Sequence, residues 1–538
     1  MRQLLTLNYY PRAQIALLKK SVRSRLLAKR KRTFPPESRM TMPKNYLRFA
    51  GVALVALALI ALSRSGPSKA QHNATETYAI TNARIVTVAG PTIEKGTVVI
   101  RDGLILSLGT NVTAPADART IDGAGLTVYP GLIDANTNLG MPQPSPTPGV
   151  AGGRGGGGGQ FQFPGGPSPM ASALNSTQPA GLQPEIMAAD YLRPGGDQIE
   201  AERNAGITTA LTAPRAGIFI GQSALINLAG NTPQEMIVRS PVALHIGFTP
   251  LRGGGYPGSL MGVFSAIRQM LLDAQRYQEA QKIYARSPRG VRRPEQDKSL
   301  EALLPVLNRE LPVVMYADRE RDISRAIDLA QEFKLRAIIA GGEESWKVAD
   351  RLREAQMAVL LSLNFPRRTT TASLEADSEP LRILRARVEA PKCAARLAAA
   401  RVKFAFQSGG MTSIDDFRAN AAKTVENGLA SDEAIKAMTM TAAEILNAAD
   451  RLGSIETGKI ANLTITRGNL LDRTARIAYI FIDGRQIDLR AGAAPASFPP
   501  GSPSPTPTPE ASPTPPTFLV PSSLGRGLFA KLDCINRS

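Results

Sequence analysis

Histidine is nearly missing from this chain: among 538 residues there are two, His72 and His245. That scarcity excludes any centre built from a cluster of imidazoles, whatever the fold brings together. Cysteine is equally rare. Cys393 and Cys534 stand far apart, the second in a tail without folding signals, so no disulfide framework holds the chain. A chain this long has no need of one, and an apolar fraction of 43% is ample for a large core. No Gly-x-Ser-x-Gly elbow is present. The glycine run Gly155–Gly159 lacks the Gly-Lys-Ser/Thr ending and the following helix of a phosphate loop. His245, in the strand-like Val242–Phe248, reads as a satisfied core or pocket residue, and Cys393 in the Ala-rich stretch 392–402 as a core thiol.

The charge is uneven. Residues 1–48 carry thirteen Lys or Arg against one Glu, a net +12 of the chain's +19, and leave only +7 for everything after them. A nucleic-acid partner would require a basic face on the folded part, and the sequence offers none. The apolar run Phe49–Leu62 spans fourteen residues, short of the roughly 20 of a membrane span. Preceded by Lys44 and Arg48 and followed by Ser68-Lys69-Ala70, it has the layout of a secretory signal peptide, with an uncleaved anchor as the alternative. Residues 1–70 are thus a basic arm plus leader, with Met40 or Met42 as candidate starts, and the mature chain is expected outside the cytoplasm, periplasmic or extracellular.

Residues 71–131 read as short strands broken by turns, among them Thr81–Val88, Gly96–Gly103 with its Asp-Gly hairpin signal, and Leu104–Gly109. Residues 451–490 are again strand–turn–strand, with Asp483-Gly484 in the second turn. Between them, residues 132–450 alternate strands and helices: strands at Ile207–Thr212, Pro312–Ala317, Leu335–Ala340 and Met357–Leu363, and helices at Asp322–Phe333, Ser345–Ala355, Thr412–Asn427 and Ser431–Ala437. Such alternation predicts βα units around a parallel sheet, with a (β/α)8 barrel as the container. Residues 143–179 form a Gly/Pro-rich loop insertion, and residues 491–538 a Pro-rich extended tail.

The stretch Val128–Gly140, with Pro130-Gly131, Leu132-Ile133, Asp134, Asn136 and Asn138, resembles the first barrel strand of the amidohydrolase superfamily, that of the imidazolonepropionase-like, metal-dependent hydrolases. The family wording is Pro-Gly-hydrophobic-hydrophobic-Asp-x-His-x-His. Gly453–Thr466 and Ile477–Ile487 resemble the family's closing strands. The resemblance implies an α/β fold, a (β/α)8 TIM-like barrel with a small β-sandwich formed by both chain ends. It also implies hydrolysis of non-peptide C–N bonds, in cyclic amides or similar compounds, with zinc or another divalent metal lowering the pKa of bound water.

Residue by residue, the ligands that the resemblance calls for are replaced. The His-x-His positions hold Asn136 and Asn138; Pro312–Arg319 is similar to "PVxxHADR" with Tyr316 at the histidine; Phe404–Gly409 is similar to "xAxGTD" with Gly409 at the aspartate. The expectation is therefore a degenerate enzyme with no catalytic residue, no metal and no cofactor. Asn136, Asn138, Tyr316, Asp318, Arg319, Gln407, Ser408 and Gly409 would ring a pocket for a small-molecule ligand. The alternative is a non-enzymatic binding or accessory protein of the cell envelope. No nucleic-acid partner is expected, the membrane is touched only through the leader, and a homo-oligomer is allowed.

Overall fold

A computed structural model of the chain describes residues 77–142, 178–179, 181–251, 256–367 and 379–489. The basic arm and leader, all but two of the residues 143–179 and the Pro-rich tail lie outside the described residues. Among the described residues, no helix is long and apolar enough to cross a membrane.

The chain opens with β1 (Tyr78–Ile85), β2 (Ile93–Arg101), β3 (Leu104–Gly109), β4 (Arg119–Asp122) and β5 (Leu126–Pro130), and closes with β16 (Leu463–Arg467), β17 (Arg476–Ile482) and β18 (Arg485–Ile487). Both ends join in one eight-stranded sheet, because β16 runs antiparallel to β5 with Ile465 opposite Val128. The two Asp-Gly turns have the form that two-residue hairpins demand. Asp102 and Gly103 take φ of 54° and 80°, Asp483 and Gly484 take 51° and 70°, and a right-twisted hairpin needs this positive pair. The turns rest on each other so closely that a Cβ on Gly484 would lie 2.7 Å from the Gly103 Cα.

Between these ends come β6 (Leu132–Thr137), α1 (Ala188–Tyr191), α2 (Asp197–Asn204), β7 (Ile207–Thr212), β8 (Phe219–Gln222), β9 (Ala224–Asn227), α3 (Pro233–Met236), β10 (Ile237–Arg239) and β11 (Leu244–Gly247). There follow α4 (Leu260–Arg286), α5 (Lys298–Leu307), β12 (Val313–Ala317), α6 (Glu320–Glu332), β13 (Ala337–Gly341), α7 (Ala349–Glu354), β14 (Ala358–Ser362), α8 (Leu381–Glu389), α9 (Cys393–Ala399), β15 (Phe404–Gln407), α10 (Asp416–Glu426), α11 (Ser431–Ala437) and α12 (Met440–Ile445). From β11 to β15 every neighbour is parallel, and helices make every crossover. These strands read as near-continuous apolar runs because both their faces are covered.

The expected closed (β/α)8 ring is not what forms. The strands lie in two mixed sheets, β10-β9-β7-β6 and β15-β14-β13-β12-β11-β8. β9 is antiparallel to β7 and β8 antiparallel to β11. The cause is the length of the connection. Only Ala213–Ile218 separates β7 from β8, whereas a parallel crossover takes a dozen or so residues. The chain must turn back. What remains is a TIM-barrel-like α/β fold. Its strands enclose a core of Ile133, Ala135, Leu211, Leu225, Ala243, Val314, Ile338, Leu360 and Ala405, packed with Ala442, Ala443 and Ile445 from α12.

Candidate functional site

At the C-terminal ends of β12, β13 and β15 lies a cavity of about 1290 Å³, bordered also by the β7–β8 turn and by Gly247–Leu251 beyond β11. Asn136, Tyr316, Asp318, Arg319, Gln407 and Gly409 all line it. Asn138 and Ser408 are not among its lining residues. Asn138 has already left β6, and its carbonyl accepts the Met141 N–H in a turn. Ser408 is 8% exposed, and its backbone N–H is directed to the Asp134 carboxylate, at 3.0 Å and 3.2 Å from the two oxygens.

Four side chains form a chain of hydrogen bonds at the cavity floor. His245 Nδ1 lies 3.0 Å from the Tyr316 hydroxyl; that hydroxyl donates to Asn136 Oδ1 at 3.0 Å; Asn136 Nδ2 donates to Gln407 Oε1 at 2.6 Å; Gln407 Nε2 donates to the Leu360 carbonyl at 2.7 Å. The last acceptor fixes the direction of the rest. A carbonyl can only accept, so Gln407 must present its amide nitrogen there and its oxygen to Asn136. The Tyr316 proton is then committed to Asn136, and His245 must donate from Nδ1. Its Nε2 is left as a buried acceptor with no partner.

Burial sets the ionisation of these groups. The enclosed His245 ring is pushed down to about 3 and the Tyr316 phenol up to about 12, in both cases because the charged form would lose its water. Neither gives an effective base near neutrality. Asp134, completely enclosed, is raised to about 6 by the same cause, against the opposing hydrogen bonds from Ser408 and Asn136. Glu202 on α2 is pushed well above its ordinary value, chiefly by burial and further by the charge of Asp134.

The cavity wall is charged. Asp318 opens to the cavity yet is walled closely enough that burial raises its carboxyl, an effect that Arg319 opposes and Asp322 reinforces. Its Oδ1 lies where a Cβ on Gly341 would sit, 2.0 Å away, so a glycine at φ 100° is what makes room for it. Glu343 is raised by burial and by Asp318. Arg215, in the β7–β8 turn, also lines the cavity. The sequence reading missed Arg215 and Gln183. For Arg215 a signal existed: Pro214 to Gly217 is loop punctuation directly after a strand, the position where this fold class puts its site residues.

The family resemblance implies a divalent metal here, and the donors do not suit one. Two amides and a phenol stand at the strand positions in question, with their heteroatoms paired to each other. Among the described residues, no group of three or more His, Cys, Asp or Glu is placed to hold an ion.

The amidohydrolase family model matches residues 365–487, the portion from the end of β14 through β18. Among solved structures, an amidohydrolase from Thermotoga maritima MSB8 is similar to 77% of this chain over 100% of its own, at 24% identity and a TM-score of 0.62. The chain is amidohydrolase-like in sequence and in fold. A prolidase complexed with N-methylphosphonate-L-proline matches 77% of this chain and 100% of its own at 18% identity and a TM-score of 0.46. A zinc-bound adenosine deaminase from Xanthomonas campestris matches 76% and 92% at 14% identity and a TM-score of 0.41. Of the three, only the Thermotoga amidohydrolase bears on this amidohydrolase-like fold. No curated protein sequence matches the chain.

Proposed function

We propose that this amidohydrolase-like chain binds a small polar molecule in its strand-end cavity and does not hydrolyse it. The observation that carries the reading is the chain from His245 to Leu360. At the positions where the family resemblance calls for metal ligands, neutral side chains satisfy each other's hydrogen bonds, and the one histidine is too weak a base to activate water. Such groups hold a ligand through donors and acceptors; they do not generate hydroxide. The leader-like residues 44–70 support placing this activity outside the cytoplasm, which cell fractionation would test.

The metal content of the purified protein tests the reading. It is measured by elemental mass spectrometry after growth with zinc, manganese and iron and exhaustive dialysis. Retained metal well below one equivalent, together with no turnover of lactams or hydantoins, is the expected result. Near-stoichiometric metal with turnover would overturn it and restore C–N hydrolysis, the activity that the family match on its own favours.

A further inference from the structure

Five charged residues line the cavity, and one of them has an ion partner. Asp322 pairs with Arg325 at 3.0 Å. Arg215, Arg319, Asp318 and Glu343 all line the cavity, and among the described residues none of the four enters a salt bridge. Arg215, Asp318 and Arg319 are exposed and Glu343 is half-buried, so a ligand carrying both charges meets them without breaking an existing ion pair.

By the groups they influence they also divide into two sets. Arg215 acts on the floor, where its positive charge bears on Asp134 and Tyr316. Asp318 bears on Glu343, Arg319 bears on both, and Arg382 bears on Glu343. Gln183 adds a further signal. It is 1% exposed and lines the cavity, and its Nε2 donor has no partner. Phe219, Ile220 and Phe248 add apolar surface to the cavity. At about 1290 Å³ the space exceeds the roughly 300–1,000 Å³ of common small-molecule sites, so one amino acid would leave much of it empty.

We propose that the cavity takes an elongated zwitterion, with its carboxylate on Arg215 and its ammonium between Asp318 and Glu343. The inference rests on the cavity being a ligand site and adds the class of ligand. Opposed fixed charges orient such a molecule and favour one carrying both ends over one lacking either. Burial raises both carboxyls, and an ammonium between them opposes that rise.

The test is calorimetric titration of the full chain with a ladder of α,ω-amino acids and with di- to tetraglycine. Each probe is compared with its N-acetylated and C-amidated form. At least one free zwitterion should bind, and blocking either end should weaken it by about tenfold or more. Arg215→Gln should erase the preference for a free carboxylate and keep that for a free ammonium; Asp318→Asn with Glu343→Gln should do the reverse. The blocked probes against the unaltered protein decide the matter even if a variant fails to fold. Absence of binding by every free zwitterion, or equal binding of free and blocked forms, would overturn the proposal. Product analysis and metal content on the same samples keep the two readings apart. Hydrolysis by a metal-loaded protein would sink the non-hydrolytic reading and leave the zwitterion standing; a metal-free protein that binds nothing would sink the zwitterion.

Discussion

The Tyr316 hydroxyl, on β12, donates to Asn136 Oδ1, on β6, at 3.0 Å, and so ties together strands of two different sheets. Removing that hydroxyl with Tyr316→Phe leaves two buried groups without partners, Asn136 Oδ1 and His245 Nδ1–H. The expected cost is about 1–3 kcal/mol of folding stability, read from the midpoint shift in urea at unchanged slope. A shift under a few tenths would mean the bond is of little consequence.

Acidity should separate two buried groups with opposite demands. Asp134 has a raised pKa, about 6 against an ordinary 3.8, so the stability it lends is complete below 3.8 and is lost as pH rises through about 6. His245 has a lowered one, about 3 against 6.5, so its contribution is complete above 6.5 and is lost as pH falls toward 3. Asp134→Asn removes the first slope, together with the part of the Glu202 rise that the Asp134 charge causes. Relative to the parent, the variant should gain stability as pH climbs from 3.8 through about 6 and keep a constant difference above that. Urea unfolding at several pH values checks it; a difference that does not change across the window would refute the assignment.

Gly341→Ala is expected to disturb the cavity wall more than its size suggests. The new Cβ would meet Asp318 Oδ1 at 2.0 Å, on a residue at φ 100° that side chains rarely adopt. Backbone strain of this kind costs on the order of 1–3 kcal/mol, and the displaced carboxylate should weaken binding of ammonium-bearing probes in the titrations above. Normal stability together with unchanged binding would contradict this account.

Restoring the two histidines of the family wording, with Asn136→His and Asn138→His, should leave metal content well below one equivalent. Asn138 is not part of the cavity lining, and no cluster of other donors among the described residues stands ready to complete a site. Elemental analysis after dialysis decides, and a full equivalent of bound zinc would show that the rest of the centre survives.

Much of the fold was legible in the sequence because it depends on local pattern. Ser431–Ala437 is helical as read, and β12, β13 and β14 coincide with apolar runs bounded by helical stretches. The Asp-Gly turns follow from glycine's tolerance of positive φ. The reversed β8 and β9 were not legible. Ala224–Asn227 looks like any buried strand, and direction is set by the shortness of the segment before it, which no single residue announces. At the site, positions inherited from strand motifs, such as Asn136, Tyr316 and Gln407, could be named in advance. Arg215 could have been, from the loop punctuation after β7; Gln183 could not, since it reaches the cavity through the packing of Gly181 against Gly217. Asn138 was misplaced for a related reason: alternation along a strand stops applying one residue past its end.

The short run Ala213–Ile218 has one more consequence, for how this mouth can vary. In a ring of parallel strands each strand end carries a separate loop, free to lengthen without disturbing its neighbours. Here one turn serves two strands and is pinned at both ends, Ala213 N–H to the Thr137 carbonyl and Ile218 N–H to that of Gly181. Because side chains alternate along a strand, inserting or deleting a single residue would either shift Arg215 at the cavity or rotate β8 and β9 face for face, exchanging the two buried faces of Phe219–Asn227. The helical connections around the rest of the rim can drift in length; this side is held to its present count of residues.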